Sequence, residues 1–230
     1  MRLYHMTSLK TAIDYILPEQ RMRLSRFKTL NDPFELKSIK FDGARGRHVF
    51  NKVMEHFDET LGVICMVKHW QSPIMWAHYA ENHHGVCLGF DVLEDDKPQQ
   101  IKYTAERTTH ILDPHDPHGG ITFDKMMGLV ITKSIGWAYE EEWRLFSELK
   151  EADPVNGDFY LSFSKTFVLR EIILGSRCTL PVGSFRKHLG EVDQTVTIIK
   201  SRAAFETFTM VRQQRVSSIV IRPKGSKKPT

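Results

Sequence analysis

Three glutamates in a row, Glu140, Glu141 and Glu142, stand between aromatic residues in the segment YEEEWR, and Arg144 follows two positions after the last of them. Like charges this close repel one another, and a core strand would not choose them. Alternation along an extended segment puts Glu140, Glu142 and Arg144 on one face. Two chemistries stay open from this segment alone. In one, the face is a solvated edge on which Arg144 neutralises the acids. In the other, a carboxylate is kept ionised at the mouth of a cleft, where it can orient a sugar hydroxyl or stabilise a positive transition state.

A second polar segment, SPIMWAHYA, carries Ser72, Trp76, His78 and Tyr79. Helical spacing sets Trp76, Tyr79 and His83 along one face. Such a stripe is ordinarily core, and Trp76 is read that way. His78 and Tyr79 have polar handles that, with Ser72, can line a pocket for a planar ring. In YHMT, His5 shares a strand face with Thr7, and one partner group could hydrogen-bond both. LNDPFE reads as turn chemistry, with Asn31 or Asp32 capping the local backbone ahead of Pro33.

The elements that must position these residues follow from the pattern around them. Leu3 to Thr7 alternates as a short strand, and a helix is expected from Ser8 to Ile16, with Ser8 as its cap and Pro18 beyond its end. A further helix is expected over His48 to Glu59. LGVICMV (61–67) is apolar and β-branched, a buried strand. A helix capped by Ser72, with Pro73 in its first turn and Gly85 at its end, leads to the strand VCLGFD (86–91). HILDPHDPHGG (110–120) is a loop by its Pro, Gly and Asp content. A helix over about Phe123 to Ser134 precedes GWAYEEEWR. The remainder is mostly strand-like, in DFYLSF, REIILG, TVTIIKS and SSIVIRP, with a short helix near SFRKHLG. No repeat or convincing linker appears, so residues 1–221 are read as one α+β domain and 222–230 as a basic flexible tail.

Composition narrows the class. Of 230 residues, 41% are hydrophobic and 26% charged, a globular balance that argues against wholesale disorder. Charges or proline interrupt every apolar run, so no membrane span is expected, and MRLYHMT lacks the apolar stretch of a signal peptide. Cys65, Cys87 and Cys178 are widely spaced and form no CxxC pair, which reads as reduced thiols in the cytoplasm. The net charge of +4 is compatible with a nucleic-acid partner without demanding one. The clusters His78, His83, His84 and His110, His115, His118 (with Asp113 and Asp116) lack zinc-site spacing, so no metal is expected. Dinucleotide, P-loop, hydrolase-elbow and zincin motifs are all absent.

Taken in order, YHMT, RLSRF…LNDPFE, SPIMWAHYA…HHGVCLGFD and K…GWAYEEEWR resemble the bacterial family called domain of unknown function 2971, over Leu3 to about Arg144. More distantly, the layout resembles the ADP-ribosyltransferase fold, above all the DarT type of DNA-modifying toxin. Proteins of that type open on a YH-x-T strand, carry an SPM-containing helix and place a glutamate before an aromatic-led strand. The resemblance implies a mixed β core with flanking short helices and a glycosyltransferase-class activity that uses NAD as substrate. It implies catalytic roles for Glu142 and, through a Glu-x-Glu pattern, for Glu140, the acid that would handle the acceptor. It implies that His5, beside Thr7, anchors a ribose hydroxyl, that Ser72 binds the carboxamide, and that Tyr79, beside Trp76, stacks on nicotinamide. Arg23 or Arg26 would hold the pyrophosphate. The partners implied are a nucleic-acid acceptor, RNA or DNA, and an antitoxin or chaperone, as for a toxin or antiphage effector. The alternative is a catalytically silent nucleotide- or partner-binding domain of the same shape, with a metal-dependent nuclease as a weaker third.

Overall fold

The computed structural model describes residues 1–41, 43–93, 97–110, 113 and 120–224. Most of the expected loop at 110–120 and the last six residues of the basic tail lie outside the described residues. In chain order the strands are β1 (Arg2–Thr7), β2 (Arg21–Arg23), β3 (Ile39–Phe41), β4 (Leu61–Val67), β5 (Val86–Val92), β6 (Gln99–Gln100), β7 (Lys102–Thr104) and β8 (Thr108–His110). They continue with β9 (Thr132–Ser134), β10 (Glu142–Glu148), β11 (Tyr160–Ser162), β12 (Phe167–Leu174), β13 (Val196–Ala203), β14 (Met210–Arg212) and β15 (Ile219–Ile221). The α-helices are α1 (Leu9–Thr11), α2 (Leu17–Glu19), α3 (Gly43–Thr60), α4 (Pro73–Tyr79) and α5 (Phe123–Val130). The architecture is mixed helix and sheet, as the α+β reading expects.

The chain divides into two compact units, one of residues 1–22, 66–97 and 162–230 and the other of residues 23–65 and 98–161. In the first, the strand order is β14-β13-β12-β5-β1, with β15 also on β13 and the end of β4 meeting β1 at Tyr4 opposite Val67. β1 and β12 both run antiparallel to β5, whereas β12 and β13 are parallel. The run VCLGF in β5 is buried throughout because both of its faces are covered, Cys87 packing with the α4 cluster and Phe90 against Phe163 and Phe167, which explains its lack of alternation. Helix α4 packs against β1, and Met6, Met75, Trp76, Ala80 and Met210 share one cluster of the core.

The N-terminal helical stretch departs from expectation. Ser8 caps it as foreseen, accepting from the Thr11 N–H. It does not stop at Ile16: a π turn over Ala12–Ile16, in which Leu17 N–H reaches back to Ala12 O, carries it into α2 with Pro18 inside. The wider turn accommodates a residue that has no N–H to give. Helix α4 also ends earlier than expected, at Tyr79, and Glu81, Asn82 and His83 follow with positive φ. Those three residues bring the His83 carbonyl close to Gly175, where a Cβ would collide with it. Gly175→Ala is therefore expected to lower stability by about 1–3 kcal/mol, read as a lower urea midpoint at unchanged slope.

In the second unit β4 lies beside β10 and β10 pairs antiparallel with β6, while β7 pairs parallel with β9. Phe27, Leu36, Phe50, Phe57, Val63, Met126 and Leu129 form its apolar core. α5 ends at Val130 rather than Ser134. The Thr132 hydroxyl turns back onto Gly128 O, and Thr132–Ser134 leaves the helix to pair with β7.

Candidate functional site

Two local devices aim the acids. A 3-10 turn over Ile135–Glu140 delivers Glu140, and Glu141 then takes a left-handed conformation (φ 46°) that swings the chain into β10 at Glu142. A non-glycine residue is seldom held there unless its surroundings require it. As a result Glu140 and Glu142 reach the same cation: Lys133 Nζ donates to Glu140 Oε2 at 2.6 Å and to Glu142 Oε2 at 3.1 Å. The Lys133 ammonium also lies 4.7 Å from the centre of the Trp137 ring. β7 and the residue before it tie the corner down, since the Tyr103 hydroxyl accepts the Glu142 N–H at 2.8 Å and Ile101 N–H donates to Glu142 O.

Arg144 completes the cluster. Its Nε donates to Glu142 Oε1 at 2.7 Å and its Nη2 to Glu142 Oε2 at 3.3 Å. Glu35 takes two more bonds, from Nη1 at 2.5 Å and Nη2 at 3.0 Å, and Val130 O accepts from Nη1 at 2.7 Å. All five guanidinium N–H donors are thereby used. Glu35, Lys133, Glu140, Glu142 and Arg144 are each no more than 6% exposed. The arrangement is therefore not the solvated edge that YEEEWR also allowed. It is a buried network within one unit, of a kind that costs much to desolvate and is tolerated when every donor is met.

The electrostatics follow from this packing. Burial pushes the Glu142 carboxyl up, but Arg144 and then Lys133 more than offset it, so the group titrates below the ordinary carboxylate range. Burial lowers Lys133, and Glu142 and Glu140 raise it further than that, so it stays charged well above pH 7. Burial and the neighbouring acids lift the Tyr103 phenol to about 12, against the bond from the Glu142 backbone. Burial pushes the Cys65 thiol up as well, and that thiol hydrogen-bonds Glu142. The sign for stability is set by these directions. The Glu142 contribution is complete above its unfolded value of about 4.3 and is lost as pH falls through the lower folded value. The Lys133 contribution is complete below about 10.4 and is lost as pH rises through the raised folded value. Urea midpoints should thus lack any contribution to slope from these two groups between about pH 5 and 10, with an acid-side fall that Glu142 shares.

The other expected site residues fall as follows. His5 lies in mid β1 opposite Leu88, half-buried, and Thr7 is buried opposite Val86. Ser72 caps α4, its Oγ accepting from Met75 N–H at 3.4 Å. Trp76 is wholly buried, gives its indole N–H to Trp70 O at 2.6 Å and stacks on His83, so it serves packing rather than a ligand. Tyr79 is half-buried at the end of the same helix. These five belong to the first unit. Arg23 and Arg26 belong to the second, where each meets a carboxylate: Arg23 lies 3.5 Å from Asp158 and Arg26 2.9 Å from Asp58. Asp58 also accepts the Lys28 N–H, so Arg26 is engaged in folding this corner.

Glu35 and Tyr103 are the functional candidates that the sequence reading did not single out, and Lys133 entered it only as the K ahead of GWAYEEEWR. LNDPFE is a turn as expected, with Asp32 accepting the Phe34 N–H. The same turn also delivers Glu35 to Arg144, which a structural reading of the segment overlooked. The available signal was an acid set between Phe34 and a core leucine, Leu36, which is wholly buried. Residues 75–145 match the model of a family described as protein of unknown function (DUF2971). That stretch holds Tyr103, Lys133, Glu140, Glu142 and Arg144 but neither YHMT nor Glu35. No curated protein and no solved structure matches the chain.

Proposed function

We propose that the chain is an ADP-ribosyltransferase that consumes NAD and modifies a nucleic-acid acceptor, acting as a toxin or antiphage effector. The observation that carries the reading is Glu142, a carboxylate at the first position of a strand, buried and held ionised by two cations. When the bond between nicotinamide nitrogen and ribose C1′ breaks, its electron pair leaves with nicotinamide and the ribose gains oxocarbenium charge. A fixed carboxylate in a water-poor setting stabilises that charge without reorganising. The acceptor's nucleophile then bonds to C1′ and gives up its proton, for which the Glu140 carboxylate is the base.

The resting cluster sets one condition. Both Glu142 oxygens already accept hydrogen bonds, so a ribose hydroxyl must take the place of Lys133, whose bond to Glu142 is longer than its bond to Glu140. The ADP-ribosyltransferase-like form of the mixed sheet belongs to this same proposal.

A second reading has its own observation. The pairing of Glu140 with Lys133, and of Glu142 with both Lys133 and Arg144, also suits a domain that has kept the shape and binds a nucleotide or partner without turnover. Incubation with NAD carrying a labelled adenylate phosphate, in the presence of separate RNA, DNA and protein pools, decides between them. The transferase reading expects label in one nucleic-acid pool. Label in none, with NAD only raising the melting temperature, supports the silent domain. Label confined to protein overturns the acceptor class.

A further inference from the structure

The hairpin of β13 and β14 carries a feature that the packing of its unit does not use. Its last paired residues are Ala203 and Met210, and the loop is closed by Ala204 N–H donating to Thr209 O at 2.9 Å. The Thr207 and Thr209 hydroxyls bond each other across the tip. On this braced loop Phe205 is 91% and Phe208 99% exposed. Isolated exposed apolar residues are ordinary, but two almost bare phenyl rings three residues apart on an ordered tip are not. The base of the hairpin is fixed: Met210 N–H donates to Gln71 O, and the Met210 side chain packs in the core cluster with Trp76. The rings therefore stand on a rigid arm tethered to the chain just ahead of Ser72.

The surrounding charge selects the partner. The Arg202 guanidinium lies over the Phe205 ring at 4.5 Å, and its Nη1 donates to Ala203 O. Arg212 pairs with Ser201 in the hairpin ladder and is exposed, and Arg215 is exposed in the turn that follows. Against these three cations the tip holds a single acid, Glu206. Flat rings that any base can stack on, flanked by arginines that take phosphate, are the equipment of single-strand binding. A membrane surface suits the tip less, because inserting both rings drags Glu206 and Thr207 into the acyl boundary.

We infer that the β13–β14 hairpin is a docking arm for single-stranded nucleic acid, on which Phe205 and Phe208 stack on bases and Arg202, Arg212 and Arg215 meet phosphates. The inference rests on the proposed function in naming how that acceptor is held, but binding is measured without NAD and so stands or falls separately from transfer. The test uses the full chain with fluorescein-labelled 12-nucleotide single-stranded RNA and DNA, the matching duplexes, and phosphatidylserine-containing vesicles. Wild type should bind one or both single strands, more weakly at higher salt. Phe205→Ala and Phe208→Ala should each weaken binding about tenfold or more. Both rings are exposed, so these changes should leave the melting temperature where it was. Arg212→Gln should weaken binding and reduce the salt slope. Equal binding by wild type and the double phenylalanine variant overturns the inference. So does absence of oligonucleotide binding, association with vesicles alone, or ring-dependent self-association without oligonucleotide binding.

Discussion

Arg144→Met is expected to destabilise the second unit by about 3–5 kcal/mol, the most damaging single change in its buried network. The methionine fills much of the volume but supplies none of the five N–H groups that now serve Glu35, Glu142 and Val130 O. Glu35 would lose both of the hydrogen bonds that Arg144 gives it while 6% exposed. Lys133 alone would face Glu140 and Glu142. For a chain of this size such a loss corresponds to a fall in melting temperature of roughly 6–20 °C. Arg144→Lys keeps the charge but has only three donors and no planar fork, so it should recover only part of the loss. Scanning calorimetry on the two variants reads both effects. A melting temperature within a degree of wild type for Arg144→Met would mean that the cluster is hydrated and contributes no net stability.

The same network marks where sequence reasoning reaches and where it stops. β4 and β5 were legible because their apolar runs are short and β5 is bounded by Gly85, and β1 because Leu3 to Thr7 alternates. The caps at Ser8 and Ser72 were legible because capping is a local bond, between a side chain and an N–H three residues on. The ends of α4 and α5 were not. One is set by the close approach of His83 to Gly175, and the other by pairing of Thr132–Ser134 with β7, both contacts made across distant parts of the chain. The candidate site divides in the same way. Spacing exposed Glu140, Glu142 and Arg144 as a set, but their burial depends on Lys133 and on Glu35, which lies 109 residues from Arg144. A carboxylate in a Pro-containing turn looks like surface until its cation is known.

Glu142→Gln carries the most weight for function, and the geometry explains why it separates chemistry from folding. The three carboxylates and two cations of the cluster sum to a formal charge of −1, and the amide brings that sum to zero. Arg144 would keep its two bonds to Glu35, and Lys133 its bond to Glu140. Neither cation is stranded, so the expected stability loss is only about 1–2 kcal/mol. A neutral amide cannot stabilise an oxocarbenium centre as a carboxylate does, so transfer of labelled ADP-ribose should fall at least about 100-fold. Glu140→Gln should act differently, because its carboxylate is assigned to the acceptor's proton. Nicotinamide release should persist there while label in nucleic acid is lost. Full transfer by a folded Glu142→Gln protein would move the chemistry elsewhere and leave this cluster a structural one. If both variants lose nicotinamide release alike while their urea midpoints hold, the two acids act as one unit through Lys133, and the division of labour between them is wrong.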